Sequence, residues 1–501
     1  MRPWNPALIV LTVCALVLMT WACKPGGGET TPPSEPPAQP APSVDEGNST
    51  QIQCAEGDNG QLTITVSADI PNAPVFAQGS GNQLDVIQCG FDVFSWNSFL
   101  AINHAPDGGF GNRNGDNTTV WEAWPEASDI FLPDGQAPPP WTGDNPPPHH
   151  EVPTECKALW EPGMKMLSQV AKRPDILEST DQPFESGPLI DIHGYYSRFE
   201  ITVNQEMYQY ILDNRLFNKP GQAAFAADGK SVEFPCGCMA ASAAQNQCAE
   251  GGQQGAIMVK AAWKILDTQA DPPDDPATFH SAHAVVYTPA QGGQPPTCTR
   301  QLVGLVGLHI GHKTQHEPQW TWSTFEHVRN APTQGEPVPA GARYNYFQPD
   351  CSDCNAVNEP PPQPWDAHNQ PVTANSGKSQ VERAIAITQA TLAMNAKAQG
   401  IVPDTVWQNY ELVSTQWPTN GSGTTPGGPT ADNGWCDPLN AVDKSGNPAP
   451  VFLANTTLET YIQGTVPQAS SSCINCHLNA ATTAPGIDNF SDFTYLLERA
   501  Q

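Results

Sequence analysis

Charge is scarce in this chain. Only 15% of residues are Asp, Glu, Lys or Arg, and the 22 Lys and Arg are outnumbered by 51 Asp and Glu, for a net charge of −29. A nucleic-acid surface needs clustered bases to displace counterions, so that class of partner is excluded. Adhesion to anionic lipid headgroups is disfavoured on the same ground. The sequence has no phosphate-binding Gly loop and no Gly-x-Ser-x-Gly elbow, so the usual marks of nucleotide and serine-hydrolase chemistry are missing. It also shows no internal repeat.

What is present is a large, loop-rich chain. It has 501 residues, 39% of them hydrophobic, with 41 Gly and 52 Pro. That is enough apolar matter for a core and suits two to four domains, or one domain with insertions. The N-terminus looks like a targeting segment: Arg2, then the apolar run Ala7 to Leu18, then Thr20-Trp21-Ala22-Cys23. A small residue before a Cys fits a lipoprotein signal in which Cys23 is acylated. A plain cleaved signal peptide and a retained signal anchor are the alternatives, since Trp21 stands where a small residue is usual. Lys24 to Thr50 is rich in Pro, Gly, Ser and Thr and cannot bury a core. Extended, it would reach roughly 80 Å, a tether holding a body off a surface. The expected organisation is a signal over 1–22, a Pro-rich tether over 23–52, a body over 53–440 and a C-terminal cofactor segment over 441–501.

The cofactor segment is expected from Ser472-Cys473-Ile474-Asn475-Cys476-His477. A Cys-x-x-Cys-His run spaces two thiols for addition to two haem vinyl groups, and the next residue offers imidazole to the iron. Cys473, Cys476 and His477 are therefore the candidate attachment residues for one haem c per chain. The competing reading is a disulfide beside an unrelated His. Of the 14 cysteines, Cys14 lies in the signal, Cys23 at its end, and Cys473 and Cys476 go to haem, so ten remain: Cys54, Cys89, Cys156, Cys236, Cys238, Cys248, Cys298, Cys351, Cys354 and Cys436. An even remainder permits up to five disulfides in an oxidising compartment. An acidic exported haem protein could attract a basic redox partner such as a basic cytochrome, although solubility alone also explains the charge.

No Met or His follows His477, so a second iron ligand must come from upstream. His309, in Gly307-Leu308-His309-Ile310-Gly311-His312, is the first candidate, because strand alternation puts it on a face with Val303 and Leu305. His327 is the second. A hydrogen-bonded core histidine is the competing reading of His309, and an open sixth site is the alternative to both. His309, His312 and His316 would share a face for zinc or copper only in a helix, which Gly304, Gly307 and Gly311 oppose. His283 is a further strand histidine, and Met394 reads as core. Cys351-Ser352-Asp353-Cys354 reads as a structural disulfide, with a thioredoxin-like role as the alternative. Disulfides are expected of Cys236, Cys238 and Cys248 rather than metal. His149-His150 reads as solvated. The oxygen-rich loop of Asp107, Asn112, Asn114 and Asp116 lacks EF-hand spacing.

The body predicts an α+β fold, mainly an antiparallel sheet with helices and long Pro/Gly-rich loops. Strands are expected at Phe199–Val203, Ala256–Lys264, Phe279–Tyr287, Gln301–Ile310 and Trp320–His327, short β-branched and aromatic runs without αβ alternation. Val93, Trp96 and Leu100 fall on one helical face. Helices are expected at Met207–Leu216, at Val381–Lys397 (the longest), from the capping box at Thr456-Thr457-Leu458-Glu459, and at Ser491–Ala500. Residues 133–153 read as an irregular excursion.

Four segments carry a resemblance: Phe94 to Asn103, Gly304 to Ile310, Trp322 to Val328, and Leu453-Ala454-Asn455-Thr456-Thr457 leading to the Cys-x-x-Cys-His run. On these, most of residues 89–501 resemble exported bacterial proteins usually described only as cytochrome c family proteins, with a single C-terminal haem motif. The resemblance implies haem binding and electron transfer. It gives no substrate and carries over no catalytic residue. The expected function is therefore electron transfer in the periplasm, from an outer-membrane lipoprotein. A haem enzyme of peroxidase or oxygenase type, or a haem-based sensor, is the alternative, since the body far exceeds what a shuttle needs.

Overall fold

The computed structural model describes residues 47–54, 61–76, 84–105, 109–110, 118–143, 152–168, 187–237, 252–314, 317–419, 446–463, 472–484 and 490–501. They belong to one compact unit spanning 41–501. The signal and most of the tether, with Cys23, lie outside the described residues.

The fold is α+β around one large sheet. Its strands are β3 (Lys165–Leu167), β4 (Arg198–Val203), β5 (Ile257–Ile265), β6 (Ser281–Thr288), β7 (Thr297–Thr314), β8 (Glu317–His327), β9 (Tyr410–Thr419) and β10 (Asn447–Ala449), while β1 (Ser49–Gln53) and β2 (Gln61–Thr65) form a separate hairpin. The order is β10-β9-β8-β7-β5-β4, with β6 on the first half of β7 and β3 on β6. Every pairing in the large sheet is antiparallel except β3–β6. The strands expected from the sequence are β4 to β8. β9 is not foreseen from pattern, since its Gln416 and Pro418 break the β-branched run; Pro418 is tolerated because it pairs with the short outer strand β10.

One sheet face is covered by α1 (Leu84–Ile102) and α5 (Gln389–Gly400). Val93, Trp96 and Leu100 all face that core, as their spacing predicts. α1 is buried on nearly every side, because the β1–β2 hairpin packs over it and Cys54 is disulfide-bonded to Cys89. Trp96 and Phe99 are fully buried, each contributing about 1.5–3 kcal/mol. Two corrections concern helices. α1, with 19 residues, is longer than α5, with 12, and Val381–Arg383 is not helical. Val381 N donates to Tyr346 O and Arg383 N to Pro332 O, while the Arg383 guanidinium pairs with Glu326 and Glu411. Those tertiary bonds hold the segment extended until Thr388 caps α5.

The other face carries α3 (Gln205–Asp213), α4 (Lys219–Ala227) and the C-terminal chain, including α6 (Cys473–His477). A short helix, α2 (Ala127–Ile130), packs in the same cluster. The 453–463 stretch docks first: Asn455 Nδ2 donates to Thr324 Oγ1 and Phe325 O, and Thr456 donates from N and Oγ1 to Glu326. Gly307 is required here, since a Cβ would collide with Thr457. The expected capping-box helix is only a 3₁₀ turn at Thr460–Ile462, because Glu459 turns to His309 and Asn455 N instead. Disulfides join Cys156 to Cys298 and Cys351 to Cys354, and Cys236 is disulfide-bonded as well. These bridges fit an oxidising compartment. Among the described residues no helix is long and apolar enough to cross a membrane.

Candidate functional site

The Cys-x-x-Cys-His run forms α6, a single turn packed on β8 and β9. Ser472 caps it, its Oγ accepting from Asn475 N at 3.3 Å. Gln416 of β9 fixes its start: Oε1 accepts from Ser472 Oγ at 3.1 Å and from Ile474 N at 2.9 Å, while Nε2 donates to Pro450 O at 2.7 Å. Ile474 is buried against the Trp320/Trp322 cluster. Helical spacing then puts Cys473, Cys476 and His477 at i, i+3 and i+4, on one side of the turn. Neither thiol is disulfide-bonded among the described residues.

His477 is oriented from two sides. Its Nδ1–H donates to Phe493 O at 2.7 Å. Its ring lies 4.5 Å from Trp322 and 5.3 Å from Tyr495, edge on. With Nδ1 occupied as donor, Nε2 is the nitrogen with a lone pair for a metal. The Tyr495 hydroxyl donates to Cys476 O at 2.8 Å, and burial beside Glu498 and Cys476 raises its pKa.

The Phe493 carbonyl is delivered by an unusual turn. Asp492 and Phe493 have φ of 51° and 63°, and Thr494 N donates to Ser491 O at 3.2 Å. Two successive positive φ values mark a type I′-like turn, normally built from Asn and Gly. For Asp and Phe each costs about 1–2 kcal/mol. The Asp492 carboxylate is fully buried, accepting from Lys313 Nζ at 2.8 and 2.9 Å and from Phe234 N at 2.9 Å. Lys313 also meets Glu233 at 2.7 Å. The expected helix at Ser491–Ala500 is thus this turn followed by a 3₁₀ segment at Tyr495–Arg499. Sequence reasoning missed Lys313, Asp492 and Gln416; a lysine at the end of an apolar strand was the available signal.

Exposed apolar side chains occur beside α6. Of the eight exposed large hydrophobic residues among those described, Leu478 (45% exposed), Phe490 (55%) and Tyr495 (38%) follow or contact the motif, and Val451 (57%) follows Pro450.

The upstream histidines divide between the two sheet faces. A bulge opposite Ala262/Trp263 shifts the alternation of β7, so Leu305 pairs with Trp263 but Gly307 with Ala262. Val303, Leu305, Leu308 and Ile310 therefore share the α1 face, and His309 does not join Val303 and Leu305 as strict alternation predicted. His309 faces the C-terminal chain, on the α6 side, with Nε2 at 3.0–3.1 Å from both Glu459 oxygens. His327 is a core histidine: Nε2–H donates to Thr278 O at 3.0 Å, Nδ1 accepts from Arg329 N at 3.2 Å, and Phe279 stacks on it at 4.3 Å. Burial pushes its pKa down to about 3. His312 points to the α1 face beside Phe94, likewise pushed down to about 3 by burial. Opposite faces rule out a shared site for His309 and His312, and no three-residue His/Cys/Asp/Glu metal cluster occurs among the described residues.

A second charged cluster lies near β3 and β4. Lys165 Nζ meets Glu122 at 3.0 Å and Glu200 at 2.9 Å, His280 meets Glu122 at 2.8 Å, and Lys165 lies over the Trp121 and Trp263 rings. Burial opposes ionisation of Glu122, but Lys165 and His280 outweigh it and hold the carboxyl below its ordinary range. Each charge here has a partner, so the cluster reads as a structural tie across the sheet edge. Arg198 of β4 differs: its guanidinium is buried without a hydrogen-bond partner among the described residues, and burial lowers its pKa to about 10. Met394 is core, and His283 is exposed on β6. Asp107, Asn112, Asn114, Asp116, His149, His150, Cys238, Cys248, His316 and Cys436 lie outside the described residues. No family model matches this chain, and neither a curated protein nor a solved structure matches it.

Proposed function

We propose that the chain is an exported c-type cytochrome carrying one haem on Cys473, Cys476 and His477, and that it transfers electrons in the periplasm. The observation that carries this reading is His477. Its Nδ1–H is committed to a backbone carbonyl, which puts the imidazole lone pair on Nε2, and the two cysteines precede it at i−4 and i−1 in the same helical turn. Haem supplies one-electron transfer. The chain's own residues do the rest: Gln416 and Ser472 fix the attachment turn, Phe493 orients the imidazole, and Trp322 and Tyr495 flank it. Exposed Leu478, next to His477, and Tyr495, against its ring, are apolar surface a porphyrin there would cover.

His309 stays the candidate for the sixth iron position, being on the same sheet face as α6; ligation would require it to give up Glu459. The disulfides favour export, and Cys23 before a Pro-rich tether favours a lipid anchor in the outer membrane. The acidic surface suits a basic redox partner. Pyridine haemochrome analysis of the purified protein tests the reading: one c-type haem per chain is expected, and Cys473→Ser with Cys476→Ser should abolish it. Acid-extractable haem, or none, refutes it.

A further inference from the structure

We propose that Lys313 and Asp492 are positioning residues for His477, holding the turn that presents the Phe493 carbonyl to Nδ1. The inference rests on the haem reading and extends it to residues outside the Cys-x-x-Cys-His run. Asp492 and Phe493 occupy a backbone conformation neither residue favours, so the turn persists only because something external holds it. The holding groups are visible. Both Asp492 oxygens are on Lys313 Nζ, one of them also on Phe234 N, and the ion pair is fully buried. Lys313 ends the same strand whose Gly311 faces Trp322, and Trp322 packs against the His477 ring. One rigid strand therefore sets both the ring's packing partner and, through Asp492, its hydrogen-bond acceptor. A carbonyl on Nδ1–H strengthens the imidazole as a donor to iron, which favours the ferric state.

The test uses full-length haem-loaded protein and three variants, Lys313→Met, Asp492→Ala and Asp492→Gly. Solvent exchange of the His477 Nδ1–H is followed by its hyperfine-shifted proton resonance in the oxidised protein, and the midpoint potential is measured alongside. Lys313→Met and Asp492→Ala should each speed exchange at least tenfold and raise the potential. Asp492→Gly, which accepts positive φ without help, should restore slower exchange. Removing a cation and removing an anion would shift the potential in opposite directions if the pair acted only through space. Opposite shifts, or exchange within threefold of wild type in Lys313→Met and Asp492→Ala, overturn the proposal. Where a single variant fails to accumulate, Lys313→Met with Asp492→Asn removes both charges of this pair at once and is read on the same scale. A wild-type protein without covalent haem defeats the haem reading itself, which is a separate result.

Discussion

Gln416→Leu should loosen the attachment turn without touching a cysteine or histidine. Leucine fills much the same volume in this fully buried position but removes three hydrogen bonds, to Ser472 Oγ, Ile474 N and Pro450 O. A typical bond contributes about 0.5–1.5 kcal/mol net, and a buried group left unpaired costs about 1–3 kcal/mol. Ile474 N is the exposed point of this ledger, because it belongs to the first turn of α6 and has no partner within the helix. Leucine adds apolar contact to the neighbouring cluster, so the net local loss should be about 3 kcal/mol. That corresponds to roughly a hundredfold rise in the opening equilibrium at about 1.4 kcal/mol per tenfold. Amide hydrogen exchange read by mass spectrometry on a peptide covering 472–478 would detect it, with a β5 peptide as internal control. Exchange at 472–478 should accelerate by about two orders of magnitude while β5 stays unchanged. A change below threefold would mean that Gln416 does not anchor the turn. Equal acceleration in β5 would mean global destabilisation instead.

Three further outcomes are expected. Burial raises the Asp92 pKa from 3.8 to about 6 despite bonds from Gln88, Thr415 and Thr391. The folded state therefore holds a proton that the unfolded state releases, so this group's contribution is most favourable below about pH 4 and is lost as pH rises through 6. Asp92→Asn should stabilise the protein at pH 7 by up to about 3 kcal/mol and flatten the pH 4–6 dependence of denaturant unfolding; destabilisation at pH 7 would refute the assignment. Arg198→Met should raise the unfolding free energy by about 1–3 kcal/mol, and with it the denaturant midpoint, because it removes a buried guanidinium without a hydrogen-bond partner among the described residues; a lowered midpoint would show that the charge is needed. In His309→Ala, high-spin bands replacing low-spin ones would identify His309 as an iron ligand, whereas unchanged spectra, the outcome its Glu459 pairing favours, would reject it.

The sequence by itself determined the central strands, the apolar face of α1 and the Cys-x-x-Cys-His run, because each depends on local pattern or fixed spacing. It also determined the Cys351–Cys354 disulfide, whose partners are three residues apart. Tertiary structure decided the rest. A single bulge at Val306 moved His309 to the face opposite Val303 and Leu305, which strict alternation cannot foresee. The ion pairs of Arg383 kept Val381–Arg383 extended against its helical pattern. Lys313 drew Asp492 into a turn where a helix was expected. In each case a contact between residues distant in the chain outweighed a local preference worth a kcal/mol or so per residue, and it was such contacts that gave His477 the neighbours on which its chemistry depends.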